Sequence, residues 1–260
     1  MRKLIATGAI ALAALASGAV AIAAGTTPHP PERKWHFSGP FGTFDRASAQ
    51  RGYQIYAEVC AACHSLQLLA YRNLMELGLT ENQVKGLIKD ITVPDLNDDG
   101  APVDRPARLS DRFKKPFPNA AAAAAANNGK APPDLSVIAK AREGGPDYLY
   151  ALLTGYVPHD KLTPEQIKEF DVKKDDNFNT YFPGHKIAMA PPLADDKVTY
   201  ADGTKATLSQ EAADVTEFLT WAAEPHMEDR KRTGVRVILF LLALAGFMYA
   251  VKRMVWSDKH

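Results

Sequence analysis

The sequence is poor in cysteine. Its 260 residues contain only Cys60 and Cys63. A structural zinc site needs four ligands at suitable spacing, and neither a second cysteine pair nor a His-x-x-x-His motif is present, so such a site is disfavoured. β-Branched residues are sparse from 50 to 69, where the spacing is helical, and this disfavours the βαβ context of a thioredoxin-like redox pair. The two thiols therefore need another explanation.

A five-residue motif supplies that explanation. Residues 60 to 64 read Cys-Ala-Ala-Cys-His, the pattern that attaches a c-type haem. Each thiol can add to one haem vinyl group, and the imidazole of His64 can bind the iron as the proximal ligand. We therefore expect one covalently bound haem c, held by Cys60 and Cys63. No disulfide then remains, and stability has to come from packing and from the cofactor.

The N-terminus has the pattern of an export signal. Arg2 and Lys3 precede an apolar run from residue 4 to about 16, and Ala21-Ile22-Ala23 offers a small-residue cleavage site, which is typical of a secretory signal peptide. We expect residues 1–24 to be removed. An uncleaved N-terminal anchor is the alternative.

A second apolar segment lies near the C-terminus. Residues 237 to 251 carry no charge, and residues 233–254 supply the roughly 20 positions that a membrane span needs. A buried core helix is the alternative, but basic residues flank the segment on both sides. With the signal fixing the orientation, we expect a single-pass protein of the bacterial inner membrane. Residues 25–229 would be periplasmic and residues 255–260 cytoplasmic.

Charge is distributed unevenly along the chain. Residues 25–229 contain 22 Lys and Arg against 29 Asp and Glu, a net charge of about −7, although the whole chain is close to neutral. An acidic exported domain suits a basic soluble partner that is steered electrostatically. Solubility alone would also explain this charge. No nucleic-acid partner is expected; the contacts expected are with proteins and membrane lipid.

Helical patterns stand at both ends of the predicted domain. Asp45 to Tyr56 leads to the motif with Tyr53, Tyr56 and Val59 at helical spacing, which predicts an aromatic face against the cofactor. Thr207 to Gln210 reads as a capping box. The helix it opens carries Val215, Phe218, Leu219 and Ala222 on one face and ends before Pro225. The fold predicted is mainly α, a class I cytochrome c-like haem domain with one C-terminal transmembrane helix.

Long insertions are predicted between these helices, because 91–119 and 157–192 are rich in Pro, Gly, Asp and Asn. Residues 95 to 100 match half of a calcium-binding loop, but position twelve is Pro106 instead of the bidentate Glu, so we expect a polar turn. The seven alanines at 120 to 126 predict a short helix.

The haem iron needs a sixth ligand or an open position. Met75 lies too close to His64 along the chain, and Met227 is next to the membrane. Met189 lies in an apolar loop before two prolines, which reduce the entropy lost when a thioether binds iron, so Met189 is the expected ligand. The alternatives are His29, His36, His159, His185 and His226. His185 is the most plausible of these, although it follows a Pro-Gly turn and is expected to be solvated.

Motifs along nearly the whole mature chain resemble the cytochrome c1 family. They are Arg51 to Tyr56, Cys60 to Ser65, Asn127 to Gly129, Pro132 to Ser136, Ala141-Arg142, Asp147 to Tyr150, Leu153 to Tyr156, Tyr181 to Gly184, Met189 to Pro192, Trp221 to Pro225 and Arg230 to Arg232.

The resemblance implies the haem-bearing subunit of the cytochrome bc1 complex, ubiquinol-cytochrome c reductase. Such a subunit works beside cytochrome b, accepts an electron from the Rieske iron-sulfur protein, and passes it to a soluble or membrane-anchored cytochrome c. By the same resemblance, Arg142 and Tyr148 would contact the haem propionates, while Asn127 and Pro133 would line the pocket. Some bacterial members have an extra cysteine pair before the ligand Met. This chain has none, which leaves open how the loop 157–186 is braced.

The mechanism expected is outer-sphere electron transfer, in which both axial positions are closed and the thioether raises the potential. Two other classes share some of these features. A tethered monohaem carrier, or a dehydrogenase cytochrome subunit, has a haem, a Met and an anchor, but typically a shorter gap than the 125 positions between His64 and Met189. A haem sensor or peroxidase needs an open sixth site.

Overall fold

The computed structural model describes residues 28–257. The predicted signal peptide, residues 1–24, and the last residues of the predicted tail lie outside this range. The described chain is mainly α-helical, as predicted. Its helices are α1 Arg46–Glu58, α2 Glu81–Ile88, α3 Ala120–Ala126, α4 Gly145–Thr154, α5 Pro164–Glu169, α6 Leu208–Ala223 and α7 Met227–Trp256.

Short 3-10 turns and strands fill the connections between the helices. The 3-10 turns are Cys60–Ala62, Tyr71–Leu77 and His159–Lys161. Strand β1, Thr92–Leu96, pairs antiparallel with β2, Pro102–Pro106, and β3, Asn177–Phe178, pairs antiparallel with β4, Lys186–Ile187. The strands all lie in the two predicted insertions.

The centre of the fold is the close crossing of α1 and α6. At Gly52, an added Cβ would lie 2.0 Å from the carbonyl oxygen of Asp214 and 2.6 Å from Cβ of Phe218, so only glycine fits. The rings of Tyr53 and Tyr56 lie 5.7 and 5.8 Å from that of Phe218. The aromatic face of α1 was predicted to lie against the cofactor. This face packs on α6 and on Phe113, and its contact with the cofactor remains a prediction.

A buried polar network links the same two helices. The carboxylate of Asp214 is fully buried and accepts hydrogen bonds from Ser48 Oγ (2.6 Å) and from Arg51 Nε (2.8 Å) and Nη2 (3.0 Å). Gln210 Nε2 also donates to this carboxylate, at 3.0 Å. The predicted capping box is therefore only half correct. Thr207 caps α6 through the backbone N–H of Gln210, but the Gln210 amide turns to Asp214.

The first insertion contains a β-hairpin that composition did not predict. Its turn holds the calcium-like sequence, and there Asn97 Oδ1 accepts hydrogen bonds from the backbone N–H groups of Asp99 (3.1 Å) and Ala101 (2.8 Å). The carboxylate of Asp95 binds Arg105 on the opposite strand. These oxygens serve the turn itself, and the prediction of a polar turn is confirmed.

The second insertion has a small hydrophobic cluster of its own, formed by Leu162, Val172 and Phe178. His185 joins it, with its ring stacked on Phe178 at 5.3 Å and lying 4.2 Å from the ring of Phe170. The expectation that His185 is solvated is therefore only partly correct, because two aromatic rings cover part of the imidazole and leave it half-buried. This cluster is the brace of the loop 157–186 in a chain that has no cysteine pair there.

Helix α7 is long and apolar enough to cross a membrane, with a mean hydropathy of 2.1 in its most apolar window. Its apolar residues are exposed, Leu242 at 66% and Phe247 at 66%, so the alternative of a buried core helix is wrong. The helix begins six residues before the predicted span, at Met227, because its first turn packs on the preceding helical fold and buries Met227. Among residues 28–257, it is the one helix that is long and apolar enough to span a membrane.

Candidate haem site

Helix α1 delivers the Cys-Ala-Ala-Cys-His motif. It ends at Glu58, and a 3-10 turn follows in which Cys63 N–H and His64 N–H both donate to the carbonyl of Cys60, at 3.1 and 2.8 Å. Cys60 is half-buried and Cys63 is exposed. Burial, and secondarily the neighbouring Cys63, raises the pKa of the Cys60 thiol to about 12. One tight turn thus presents two thiols and an imidazole together.

The His64 ring is held by a hydrogen bond across 69 residues of sequence. Its Nδ1 lies 2.8 Å from the carbonyl oxygen of Pro133. Because a carbonyl can only accept, Nδ1 carries the proton and Nε2 keeps its lone pair, the arrangement found in metal-binding histidines. Burial lowers the pKa of His64, which favours the neutral imidazole that binds iron. Pro133 was predicted to line the pocket; its carbonyl orients the predicted proximal ligand.

Sequence reasoning assigned no role to Asp134, which fixes this contact. Its Oδ2 accepts hydrogen bonds from Ser65 Oγ (2.7 Å) and Gln67 N–H (2.9 Å), and its Oδ1 accepts one from Ser136 N–H (2.9 Å). Burial alone would raise the pKa of Asp134, but the hydrogen bonds from Ser136, Ser65 and Gln67 outweigh it and lower the pKa. The bond to Ser136 is an Asx turn, a signal that the sequence Asp-Leu-Ser offers.

Met189 is half-buried in the loop that leads to Pro191 and Pro192. The hydroxyl of Tyr156 donates to its backbone carbonyl at 3.1 Å. Tyr148, which is buried on α4, lies near Tyr156, and its proximity adds to the effect of burial in raising the Tyr156 pKa. Arg142 lies near Tyr148, where its charge opposes the effect of burial on the Tyr148 pKa. The predicted ligand and the two predicted propionate contacts thus form one neighbourhood.

Asn127 stands apart from these contacts. Its Nδ2 donates to the carbonyl of Ala123 at 2.8 Å, so the side chain caps the C-terminus of α3. The last carbonyl groups of a helix have no N–H donor within the helix, and alanine side chains cannot supply one. The Asn127 side chain supplies one such donor. The structure therefore gives Asn127 a local role, and its predicted place in the pocket remains a prediction.

Asn179 is a second residue that sequence reasoning missed. It is fully buried, and its Nδ2 donates to the carbonyl of Leu152 on α4 at 2.7 Å, while its Oδ1 accepts from Tyr181 N–H at 3.0 Å. Its backbone carbonyl lies 3.2 Å from Nδ1 of His185. Asn179 therefore ties the loop before Met189 to α4. A buried Asn directly after a two-residue strand gives no recognisable sequence signal.

The donor set fits a haem. The motif provides two thiols on one turn and an imidazole whose Nδ1 is already bonded, so Nε2 is the ring nitrogen left to coordinate iron. The Met189 thioether, on a loop fixed by Tyr156 and Asn179, is a soft second ligand suited to iron in a haem.

Comparison with known proteins agrees with this chemistry. The model of the cytochrome C1 family matches residues 35–259. The chain is 44% identical to the cytochrome c1 of Rhodospirillum rubrum over 270 residues, which cover 100% of this chain and 98% of that protein.

Two further relatives carry names that mention cytochrome b. The "Cytochrome b/c1" of Bradyrhizobium diazoefficiens is 44% identical over 284 residues, covering 98% of this chain but only 40% of that longer protein. The "Cytochrome b-c1 complex catalytic subunit, mitochondrial" of Candida albicans is 46% identical over 233 residues, covering 88% of this chain and 78% of that protein.

Proposed function

The chain belongs to the cytochrome c1 family, the haem subunits of the cytochrome bc1 complex, and we propose that it accepts an electron from the Rieske iron-sulfur protein and passes it to a c-type cytochrome. Quinol oxidation, the catalytic event of the complex, would belong to the other chains. The observation that carries the proposal is the hydrogen bond from His64 Nδ1 to Pro133, since it prepares the imidazole of a haem-attachment motif to bind iron.

The cofactor we propose is one haem c, joined covalently to Cys60 and Cys63 and bound axially by His64 and Met189. A bound haem supplies the one-electron couple, and the protein's residues do the rest. Pro133 and Asp134 hold the imidazole in one tautomer and one orientation. Tyr156 and Asn179 hold the Met189 loop. His64 and Met189 as the two iron ligands would leave no open site for oxygen, and the Met189 thioether would favour the ferrous state.

Arg142 and Tyr148 are the proposed propionate contacts. Arg142 is exposed and Tyr148 is buried nearby, so the pair can offer a charged donor at the surface and a hydroxyl donor beneath it. Asn127 and Pro133 complete the proposed pocket. The positive charge of Arg142 would pair with the negative charges of the propionates, which would also help to retain the haem.

The topology we propose follows from the two apolar segments. Residues 1–24 would be the signal peptide, 25–229 the periplasmic haem domain, 233–254 the anchor in the bacterial inner membrane and 255–260 the cytoplasmic tail. The exposed apolar surface of α7 supports a membrane span.

The proposed partners are cytochrome b, the Rieske protein, membrane lipid and a soluble or membrane-anchored cytochrome c. A relative whose name joins cytochrome b and c1 supports the first of these. The net charge of about −7 on residues 25–229 supports a basic acceptor.

A salt series on the purified complex tests both electron-transfer steps. Oxidation by a basic cytochrome c should slow as ionic strength rises, because screening over about 8 Å at physiological salt weakens long-range attraction. Arrival of the electron from the Rieske protein should depend on salt much less, since that partner is held in the same complex and needs no diffusional capture. A rate of oxidation by cytochrome c that does not change with ionic strength would contradict electrostatic steering. Absence of a b-type cytochrome and an iron-sulfur protein from the purified material would instead favour a tethered monohaem carrier.

A further inference from the structure

Residues 28–37, here called the N-terminal strap, lie against α4 and form neither a helix nor a strand. Trp35 Nε1 donates a hydrogen bond of 2.6 Å to Asp147 Oδ1, and the Arg33 backbone N–H donates one of 3.1 Å to the same oxygen. Asp147 lies in the first turn of α4. One carboxylate oxygen therefore fastens the strap to the start of this helix.

Aromatic contacts align the strap with the outer face of α4. The guanidinium carbon of Arg33 lies 4.5 Å from the centre of the Tyr150 ring and 5.3 Å from that of Trp35. The Trp35 ring stacks on Phe37 at 5.4 Å and meets Tyr150 edge-on at 6.2 Å. Cation–π contacts at exposed sites are weak, so the hydrogen bonds to Asp147 are the contacts that fix the position of the strap.

The strap also covers the turn that precedes α4. Gly144 and Gly145 have φ angles of +79° and +49°. A Cβ added at Gly144 would lie 2.9 Å from Cγ of Pro30 and 3.2 Å from Cβ of Tyr148, so glycine is what allows the strap to pack this closely. Arg142 opens the turn, and its carbonyl accepts a hydrogen bond of 3.0 Å from Gly145 N–H. The strap thus borders the segment that carries both proposed propionate contacts.

This turn receives little support from its own side chains. Gly144, the N-terminal cap of α4, has no side chain with which to cap the helix. Arg142 is exposed, and its Nη1 donates to the carbonyl of the adjacent Ala141 at 3.0 Å. Asp147 directs one carboxylate oxygen to the strap, and hydrogen bonds to a charged acceptor are about twice as strong as neutral ones. The strap is therefore an external support of the turn.

We propose that Trp35 and Asp147 are positioning residues for the haem propionates. This inference rests on the proposed function, in which Arg142 and Tyr148 are the propionate contacts. The strap holds the turn, and the turn keeps the Arg142 charge and the Tyr148 hydroxyl in place. A cation fixed beside a haem disfavours the extra positive charge of ferric iron and so raises the potential. Loosening the strap should lower the potential and leave the axial ligands unchanged.

Four variants of the full chain, in the purified complex, separate the bond from the charge. Asp147→Ala removes the acceptor, and Trp35→Phe removes the N–H donor but keeps an aromatic ring. Asp147→Asn keeps an oxygen acceptor without the charge, and Glu143→Gln removes a charge from an exposed position of the same turn. Trypsin cleavage after Arg33 and Lys34 should be about tenfold faster in the first two variants, because cleavage follows the population of the open strap. The other two should resemble wild type.

Redox titration then measures the effect on the haem, with Arg142→Gln as the reference. The potential should fall in Arg142→Gln, Asp147→Ala and Trp35→Phe. Combining the last two should add little, because both remove the same bond. The absorption band of the iron–thioether bond should persist, and the potential should stay near the wild-type value in Asp147→Asn and Glu143→Gln.

Each other outcome overturns a different part of the inference. A lower potential in Arg142→Gln with unchanged strap variants would refute the role of the strap and leave the propionate contact in place. An unchanged potential in Arg142→Gln would refute the propionate contact, and the role of the strap with it. Equal shifts in Asp147→Asn and Asp147→Ala would assign the effect to charge, and loss of the iron–thioether band would assign it to general loosening of the fold.

Discussion

The two predicted iron ligands are held by different kinds of structure. His64 follows α1, which packs on α6 in the main core, and its ring is bonded to Pro133. Met189 follows an insertion that has its own small cluster and is joined to α4 chiefly through Asn179. We call these the proximal region (α1, residues 60–68 and 133–136) and the distal segment (residues 155–193). We therefore expect displacement of Met189 to leave the fold intact and displacement of His64 to disturb the main core.

The largest expected effect is a change in the spectrum and potential of the haem when the Met189 ligand is removed, without loss of the fold. Met189→Ala should leave the haem attached but convert it to a high-spin or misligated form, because the thioether that stabilises Fe(II) is gone. The potential should fall by a sizeable part of the roughly 0.8 V range that axial ligands cover. Visible spectra and a redox titration measure this. Met75→Ala is the matched control, and an unchanged Met189→Ala spectrum would move the ligand to another residue.

A change at the helix crossing should damage the proximal region. Gly52→Ala places a methyl group 2.0 Å from the Asp214 carbonyl oxygen and should lower the free energy of unfolding by about 3 kcal/mol. Gly86→Ala is the control, since no heavy atom lies within 4 Å of its added Cβ and alanine is the better helix former by about 1 kcal/mol. Chemical denaturation measures both. Equal stability of the two variants would show that the crossing tolerates a wider spacing.

A substitution in the distal segment should destabilise that segment and leave the proximal region folded. Asn179→Ala leaves the Leu152 carbonyl and the Tyr181 N–H without their partner, at a cost of about 1–3 kcal/mol. On heating, the absorption band of the iron–thioether bond should disappear at a lower temperature than in wild type, while the helical circular dichroism persists. Asn82→Ala, at an exposed position of α2, is the control. Loss of the iron–thioether band and of the helical circular dichroism at the same temperature would mean that the two regions unfold as one unit.

The smallest effect concerns pH and the α1–α6 pair. Burial raises the pKa of Glu217 to about 7, although the hydrogen bond from the Asp45 backbone N–H lowers it; the charges of Asp45 and Asp214 add to the rise, and Arg46 opposes it. The stability that this neutral carboxyl provides is present below its ordinary pKa and is lost as the pH rises through about 7. Glu217→Gln cannot ionise, so its advantage over wild type should grow to about 1–2 kcal/mol between about pH 5 and 8. Melting temperatures across this range measure it, with the exposed Glu143→Gln as control; parallel curves would contradict the raised pKa.

What could be read from the sequence was local. The haem motif, the buried face of α6, the alanine helix and the polar turn each depend on residues within a few positions of one another, and periodicity and turn chemistry describe such contacts. The bond between His64 and Pro133, the role of Asp134 and the burial of Asn179 depend on segments that meet only after folding. The same reason explains why His185 is half-buried and not fully solvated, since the rings of Phe170 and Phe178 come from other parts of the insertion. The roles carried over from the family resemblance, those of Asn127, Arg142 and Tyr148, remain predictions.

The junction between Glu228 and the start of the haem domain has a mechanical consequence. Glu228, in the first turn of α7, holds both the Arg46 side chain and the Phe44 backbone N–H, the latter at 2.8 Å. Because Met227 beside it is buried, the helix has no flexible neck on which the domain could swing. We therefore expect the domain to keep a fixed position relative to α7. In the proposed function, the electron donor and acceptor would then have to move toward the haem, because the domain itself would not.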